Sequence, residues 1–264
     1  MASNQIYSQE FGQGIPIYFV HGNGLNSTSM IEFYESKKIE YGCHRRVYID
    51  IPGMGDSSLK STIKNSDDVL NELIKYVEKD SKGSPFKLCG YSYGAYLCQG
   101  IAWKLPQQVQ SVFFTGPVVK AESNKRQTEN HYNQILERVV PFENIDYFED
   151  YLSMNVVINS VTWKNYQKMI VPALEKGISN FWLTLKDADY TLSFENDLLN
   201  KQSYLKGYLL VGEYDNIVGI KDQYKLANNK LLDYQVIHNS GHNLLIDQPN
   251  KVIQYFQKFI ENRI

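Results

Sequence analysis

The chain has 264 residues, a formal net charge near −2, 43% hydrophobic residues and 21% charged residues, a composition typical of a globular protein with one large core. This charge gives no reason to expect nucleic acid or an anionic membrane as a partner, and no apolar run reaches the roughly 18 residues of a transmembrane helix. Because the N-terminus is polar and the three cysteines form neither a disulfide framework nor a zinc motif, we expect a cytoplasmic protein without a metal.

Apolar runs that suit buried strands alternate with helical patterns through most of the chain. Strands are expected at residues 5–11, 15–20, 45–50, 86–89, 112–115, 207–211 and 233–237, and helices at 27–38, 66–80, 95–103 and 251–260. Asn26 or Ser27 is expected to cap the first helix, and Ser66 or Asp67 the second. The alternation predicts the α/β fold class, with a doubly wound and mostly parallel sheet.

Residues 118–192 interrupt this alternation. They contain no convincing strand, and helical patterns occur around 124–139, 144–154, 163–176 and 179–187. The segment is also rich in aromatic residues: Tyr132, Phe142, Tyr147, Phe148, Tyr151, Trp163, Tyr166, Phe181 and Trp182. Pockets are mostly apolar, so we expect some of these rings to line a substrate pocket and others to bury the segment against the core.

The most informative motif is the pentapeptide Gly90-Tyr91-Ser92-Tyr93-Gly94, which stands between a predicted strand and a predicted helix. A serine in a strained strand-to-helix turn needs small neighbours, which the two glycines supply. Its hydroxyl would be exposed at the sheet edge near the helix N-terminus, where the helix dipole favours negative charge. This context predicts a nucleophile elbow.

Three other stretches support that hypothesis. His21-Gly22-Asn23-Gly24 follows the 15–20 strand and suits a loop whose backbone N–H groups face a site. Asp215 follows the 207–211 strand, and His242 lies in the loop after the 233–237 strand. The chain order nucleophile, acid, base is the order expected of an α/β-hydrolase.

On these motifs, together with Asp50-Ile51-Pro52-Gly53-Met54-Gly55, the chain resembles the α/β-hydrolase superfamily along nearly its whole length. The resemblance implies a core of residues 1–117 and 193–264 with a helical cap at 118–192. It also implies an oxyanion hole made by the backbone N–H groups of Asn23 and Tyr93. The His-Gly-Asn-Gly loop looks like that of small carboxylesterases and thioesterases of the pimeloyl-ester type.

In this interpretation Ser92 is the nucleophile, His242 the base that takes its proton, and Asp215 the acid that orients the imidazole. Each partner has a rival nearby in the sequence, His238 for the base, and Glu213 and Asp222 for the acid. His21 is expected to shape the oxyanion loop. Asp50 and Asp56 are expected to hold the turn at residues 52–55.

We therefore expect a serine hydrolase that forms an acyl-enzyme from an ester or thioester of a small, largely apolar acyl substrate. No cofactor or metal is needed, and the expected partner is a small molecule, not nucleic acid or a membrane. An amide, peptide or carbon–carbon bond could be cleaved by the same groups, and a non-catalytic small-molecule receptor is a further alternative. The sequence leaves open whether the chain forms a homo-oligomer.

Overall fold

The computed structural model describes residues 6–203 and 205–262. Within these residues the strands are β1 Ser8–Phe11, β2 Ile15–Val20, β3 His44–Ile49, β4 Phe86–Tyr91, β5 Val109–Thr115, β6 Gln134–Ile135, β7 Val157–Ile158, β8 Gly207–Gly212 and β9 Asp233–Ile237. The helices are α1 Ser27–Tyr34, α2 Ser66–Ser81, α3 Tyr93–Lys104, α4 Phe148–Met154, α5 Ser160–Met169, α6 Val171–Lys176, α7 Asn180–Thr184, α8 Asp187–Tyr190, α9 Glu195–Asn200, α10 Lys221–Lys230, α11 Leu244–Asp247 and α12 Pro249–Ile260.

Seven of these strands form one sheet in the order β1-β3-β2-β4-β5-β8-β9. β1 runs antiparallel to β3, and every other neighbouring pair in this sheet is parallel. Helices cover both faces, so the central strands read as continuous apolar runs and not as an alternation of polar and apolar residues. The α/β, mostly parallel fold expected from the sequence is confirmed.

The core lies in two layers because successive strand residues point to opposite faces of the sheet. In β2, Tyr18 and Val20 pack on the face covered by α2, α3 and α10, whereas Ile17 and Phe19 pack on the face covered by α1 and α12. Cys89 and Cys98 are both buried in these layers, and Cys43 is exposed.

The helix starts follow side-chain capping. Asn26 caps α1, as one of the two predicted alternatives, because its side chain accepts a hydrogen bond from the Thr28 N–H at 3.1 Å. For α2 the predicted cap was wrong. Asn65, one residue earlier, has extended backbone and accepts from the Asp68 N–H at 2.9 Å, which satisfies one of the helix's unpaired donors.

The helix predicted at 124–139 was also wrong, as was the expected absence of strands from residues 118–192. A three-residue 3-10 turn at Ser123–Lys125 is followed by irregular chain, and then by β6, which pairs in parallel with β7. The predicted helix at 163–176 is two helices, α5 and α6. Pro172, which lacks a backbone N–H, stands in the first turn of α6 and marks the break.

In the described part of the chain, no helix is long and apolar enough to cross a membrane. The division into a core and a cap at residues 118 and 192 stays a prediction.

Candidate active site

The turn between β4 and α3 holds Ser92 in a conformation that side chains rarely adopt, with φ 52° and ψ −117°. The flanking glycines allow it. A Cβ on Gly90 would lie 2.4 Å from Cα of Ala95, and one on Gly94 would lie 2.1 Å from the carbonyl oxygen of Val20. Only glycine fits at these two positions, so the local sequence dictates the tight strand-to-helix turn.

The structure brings Ser92, His242 and Asp215 together at the C-terminal ends of the parallel strands. The distance from Nε2 of His242 to Oγ of Ser92 is 3.0 Å, and the distance from Nδ1 to Oδ2 of Asp215 is 2.9 Å. Asp215 is fully buried, and its Oδ1 accepts hydrogen bonds from the N–H groups of Ile217 and Val218. These bonds fix the carboxylate so that its other oxygen faces the imidazole.

The rival residues lie elsewhere. His238 is largely exposed, with its Nδ1 3.2 Å from Oε2 of Glu213. Asp222 pairs with Lys120 at 2.8 Å. The structure thus places neither the rival base nor the rival acids in the hydrogen-bonded line that contains Ser92.

His21 shapes the loop after β2, as expected. Its Nε2 accepts from the Ile51 N–H at 3.0 Å, so its Nδ1 carries the proton and donates to the carbonyl oxygen of Gly22 at 2.8 Å. Burial lowers the pKa of His21, which keeps the ring neutral and preserves this tautomer. Of the two residues expected to supply oxyanion donors, Asn23 follows Gly22 and is exposed at the cleft, and Tyr93 is the first residue of α3.

Asp50 and Asp56 behave differently from each other. Asp50 is buried and accepts hydrogen bonds from the N–H groups of Ser27 and Asp56, at 2.6 and 2.7 Å, which holds the turn at residues 52–55 as expected. The expectation for the Asp56 side chain was wrong, because that carboxylate is exposed and pairs with Lys176 at 2.5 Å.

Ser92 and His242 lie in a cleft of about 440 Å³. Its apolar lining residues are Leu25, Tyr91, Val118, Ala121, Met154, Ile170, Leu174, Trp182, Leu185, Tyr190 and Ile217. Of the nine aromatic residues singled out in the 118–192 segment, Trp182 alone is in this lining. Tyr151, Trp163 and Tyr166 instead pack against one another, with ring centroids 5.1 to 5.7 Å apart.

A family model described as the alpha/beta hydrolase fold matches residues 15–249. The chain belongs to the α/β-hydrolase fold family. A solved structure of an alpha/beta superfamily hydrolase from Oenococcus oeni PSU-1 has 38% sequence identity and a TM-score of 0.92, and the match covers 98% of this chain and 96% of that one.

More distant comparisons add two esterases. An esterase from Exiguobacterium antarcticum has a TM-score of 0.72 and 15% identity, over 97% of this chain and 95% of that one, and this likeness concerns the fold. A curated relative, the pimeloyl-(acyl-carrier protein) methyl ester esterase of Vibrio parahaemolyticus, is 27% identical over 123 residues. That match spans 47% of this chain and 45% of the relative's length.

The chain also contains a buried polar network that sequence reasoning missed. The Tyr91 hydroxyl donates to Oδ1 of Asn243 at 2.8 Å. The Nδ2 of Asn243 donates to Oδ1 of Asn155 at 2.9 Å, and the Nδ2 of Asn155 donates to Oδ1 of Asp247 at 3.1 Å. The network therefore connects the residue before Ser92, the residue after His242 and the 118–192 segment.

Asp247 completes this network. Its carboxylate also accepts from the N–H groups of Gly241, Val156 and Val157 at 2.9 to 3.1 Å. Burial raises the pKa of Asp247 to about 6, and the hydrogen bonds act in the opposite direction. Its position before Gln248-Pro249 was visible in the sequence, but nothing there indicated four donors converging on one carboxylate.

Three charged residues in the cleft beside Ser92 were not predicted, namely Arg126, Asp150 and Asp187. They come from the 118–192 segment, where the sequence pattern gave the wrong secondary structure around Arg126 and therefore no basis for placing its side chain. Among the described residues, no group of three or more His, Cys, Asp or Glu side chains is arranged to hold a metal ion.

Proposed function

We propose that this chain is a serine hydrolase that cleaves an ester or thioester of a small, largely apolar acyl group through an acyl-enzyme on Ser92. The observation that carries the proposal is the buried hydrogen-bonded line from Ser92 through His242 to Asp215, whose first two residues line a cleft with both apolar and polar walls. An unassisted serine hydroxyl is a weak nucleophile, and this line supplies the adjacent base that it needs.

In the acylation step, Oγ of Ser92 attacks the substrate carbonyl carbon while its proton passes to Nε2 of His242. The ionised Asp215 stabilises the resulting imidazolium and keeps the proton of Nδ1 in place. The oxyanion of the tetrahedral intermediate accepts hydrogen bonds from the backbone N–H groups of Asn23 and Tyr93. When the intermediate collapses, the bond to the leaving oxygen or sulfur breaks, and His242 gives its proton to that atom.

Deacylation repeats the sequence with water as the nucleophile. His242 takes a proton from the water, the hydroxide attacks the acyl carbon, and the proton is returned to Oγ of Ser92 as the carboxylic acid leaves. All proton transfers run between the substrate, water and side chains of the chain itself, so the proposed reaction needs no cofactor.

The apolar part of the cleft wall supports an acyl group with a hydrocarbon part. The curated relative from Vibrio parahaemolyticus carries the name of an ester hydrolase, which favours an ester over an amide for this chain. We also propose that residues 118–192 act as the cap of the cleft, because Ile170, Trp182 and Tyr190 from this segment line it. The proposal keeps the cytoplasmic location expected from the sequence.

The test is steady-state hydrolysis of p-nitrophenyl esters from acetate to decanoate, by the wild type and by Ser92→Ala. We expect the variant to lose at least about a thousandfold in kcat, the scale of loss on removing a triad nucleophile. Ser81→Ala, a buried serine in α2, is the matched control and should retain activity.

Equal rates for the wild type and Ser92→Ala would refute the assignment of the nucleophile. If the wild type turns over none of the esters, the ester proposal fails, and amide and carbon–carbon substrates come next. Ligand binding without turnover on any of these would favour a receptor on a hydrolase scaffold.

A further inference from the structure

Arg126 brings a positive charge into the cleft that contains Ser92 and His242. Its side chain is partly buried and contributes to the cleft lining. The other cleft residues named from the 118–192 segment are mainly apolar, so this guanidinium is an unusual group to find beside a proposed acyl pocket. A few well-placed polar groups in an otherwise apolar pocket fix the orientation of a ligand.

Three backbone carbonyl groups hold the guanidinium in place. Nε donates to the carbonyl oxygen of Lys120 at 2.8 Å, Nη2 to that of Ala121 at 2.7 Å, and Nη1 to that of Ile217 at 3.2 Å. A guanidinium has five N–H donors in a fixed planar arrangement. One donor on each terminal nitrogen therefore remains, on a head group whose orientation is already fixed.

The charge of Arg126 has no acidic partner in the described part of the chain, where no carboxylate oxygen lies within 4.0 Å of it. The neighbouring Asp222 is paired with Lys120. Burial raises the pKa of Tyr190, another cleft residue, and the charge of Arg126 acts on that pKa in the opposite direction. Arg126 is therefore close enough to Tyr190 for its positive charge to oppose the effect of burial there.

Two carboxylates also line the cleft, but their charges should have a weaker effect on a bound ligand than the charge of Arg126. Asp150 and Asp187 are exposed, and Asp150 already accepts a hydrogen bond from the Tyr166 hydroxyl. Water and salt screen exposed charges more strongly than partly buried ones. Of these three charged residues, Arg126 is therefore the one least screened by solvent.

We propose that Arg126 binds an anionic group of the substrate, so that the preferred ester carries a carboxylate or phosphate separated from the scissile bond by an apolar stretch. A planar guanidinium with a donor left on each terminal nitrogen suits charge-assisted hydrogen bonding to such a group. This inference rests on the proposed function, and it leaves open to the test whether the anion lies on the acyl half or on the leaving group.

The experiment compares kcat/KM for two pairs of esters. The acyl pair is monomethyl glutarate against methyl hexanoate, and the leaving-group pair is the butyryl ester of 4-hydroxybutyrate against 4-methylpentyl butyrate. The ratio within each pair is measured for the wild type, Arg126→Met, Arg126→Lys and the control Arg138→Met, which changes an exposed arginine of the same segment. Comparing ratios between variants cancels the intrinsic reactivity of each ester.

We expect Arg126→Met to lower the anionic-to-neutral ratio of one pair by about 10- to 100-fold, the scale of a hydrogen bond to a charged group. Arg126→Lys should keep part of the preference because it keeps the charge. Turnover of the neutral esters should change less than about threefold, and the control should match the wild type. Added salt should lower the wild-type ratio, a readout that does not depend on any variant folding.

Equal losses of kcat/KM on anionic and neutral esters would show that Arg126 only holds the 118–192 segment against the loop after β8. That result would overturn the inference. Unchanged ratios in both pairs, or a wild-type ratio that is insensitive to salt, would also overturn it. Turnover of neutral esters alone refutes this inference and leaves the proposed function standing. If no ester is turned over, the proposed function fails, and a glutarate-dependent rise of Tm that Arg126→Met abolishes would still support anion binding.

Discussion

Gly94→Ala should damage both the stability of the chain and its proposed hydrolase activity. The new Cβ would lie 2.1 Å from the carbonyl oxygen of Val20 and 2.3 Å from that of His21, whereas real Cβ contacts are essentially never below 3.0 Å. Both atoms belong to the backbone, so α3 or the end of β2 has to move by about 0.9 Å, the difference between 3.0 and 2.1 Å. Overpacking of this kind costs about 1–3 kcal/mol, and a clash with rigid backbone should reach about 3 kcal/mol.

The same displacement reaches the proposed oxyanion loop, because Asn23 follows His21 by two residues. A misplacement of about 1 Å in a catalytic group can reduce the rate by roughly 100-fold. We therefore expect urea unfolding to show the lower free energy of unfolding, and p-nitrophenyl ester hydrolysis to show a fall in kcat of that order, measured on the fraction that remains folded.

Gly100→Ala, in the same helix, is the matched control. Its Cβ would lie 2.7 Å from a methyl carbon of Leu70, which is the far end of a flexible side chain. Alanine in a helix interior gains up to about 1 kcal/mol over glycine, which offsets the shift of that side chain. If Gly94→Ala were as stable and as active as Gly100→Ala, the close approach of β2 and α3 would not constrain the elbow.

Three further predictions concern residues outside the proposed catalytic line. Burial raises the pKa of Asp247 to about 6, above its ordinary value, so the folded chain binds more protons than the unfolded chain between these two pKa values. The free energy of unfolding should thus fall as pH rises through that window, and Asp247→Asn should remove this contribution in urea unfolding measured at several pH values. Burial lowers the pKa of Lys87 to about 8, so here the unfolded chain binds more protons than the folded chain between pH 8 and the ordinary lysine pKa. The free energy of unfolding should therefore rise with pH in that window, and Lys87→Met should remove this rise. Asn65→Ala should lower the unfolding free energy by about 1 kcal/mol through loss of the α2 cap and leave kcat unchanged, and a loss of activity without a loss of stability would contradict this assignment.

The sequence predicted the sheet and the proposed catalytic line because both depend on local signals. Buried parallel strands are continuous apolar runs, and loops after such strands meet at one edge of the sheet. Ser92, Asp215 and His242 each follow a strand of this kind, so the topology alone brings them together. Their separation in the chain, which looks large in the sequence, matters little once the strand order is known.

The 118–192 segment could not be predicted in the same way, because its conformation depends on distant partners. The strand β6 exists through pairing with β7, and the Gln134 N–H donates to the carbonyl oxygen of Val156 at 2.7 Å. Arg126 is held by carbonyl groups of Lys120 and Ala121, which precede β8 in the chain, and of Ile217, which follows it. Periodicity within a short window carries no information about such contacts, so a helical pattern at 124–139 gave the wrong structure.

The backbone conformation of Ser92 bears on which residue is most stable at this position. A side chain at φ 52° and ψ −117° carries strain of about 1–3 kcal/mol, which glycine would relieve, whereas the extra freedom of glycine in the unfolded chain costs only about 0.5–1 kcal/mol. Ser92→Gly should therefore change the stability little, because the relieved strain offsets the lost hydrogen bond to His242. Stability alone gives serine no advantage over glycine at this position, so the proposed chemistry of the hydroxyl is what favours serine.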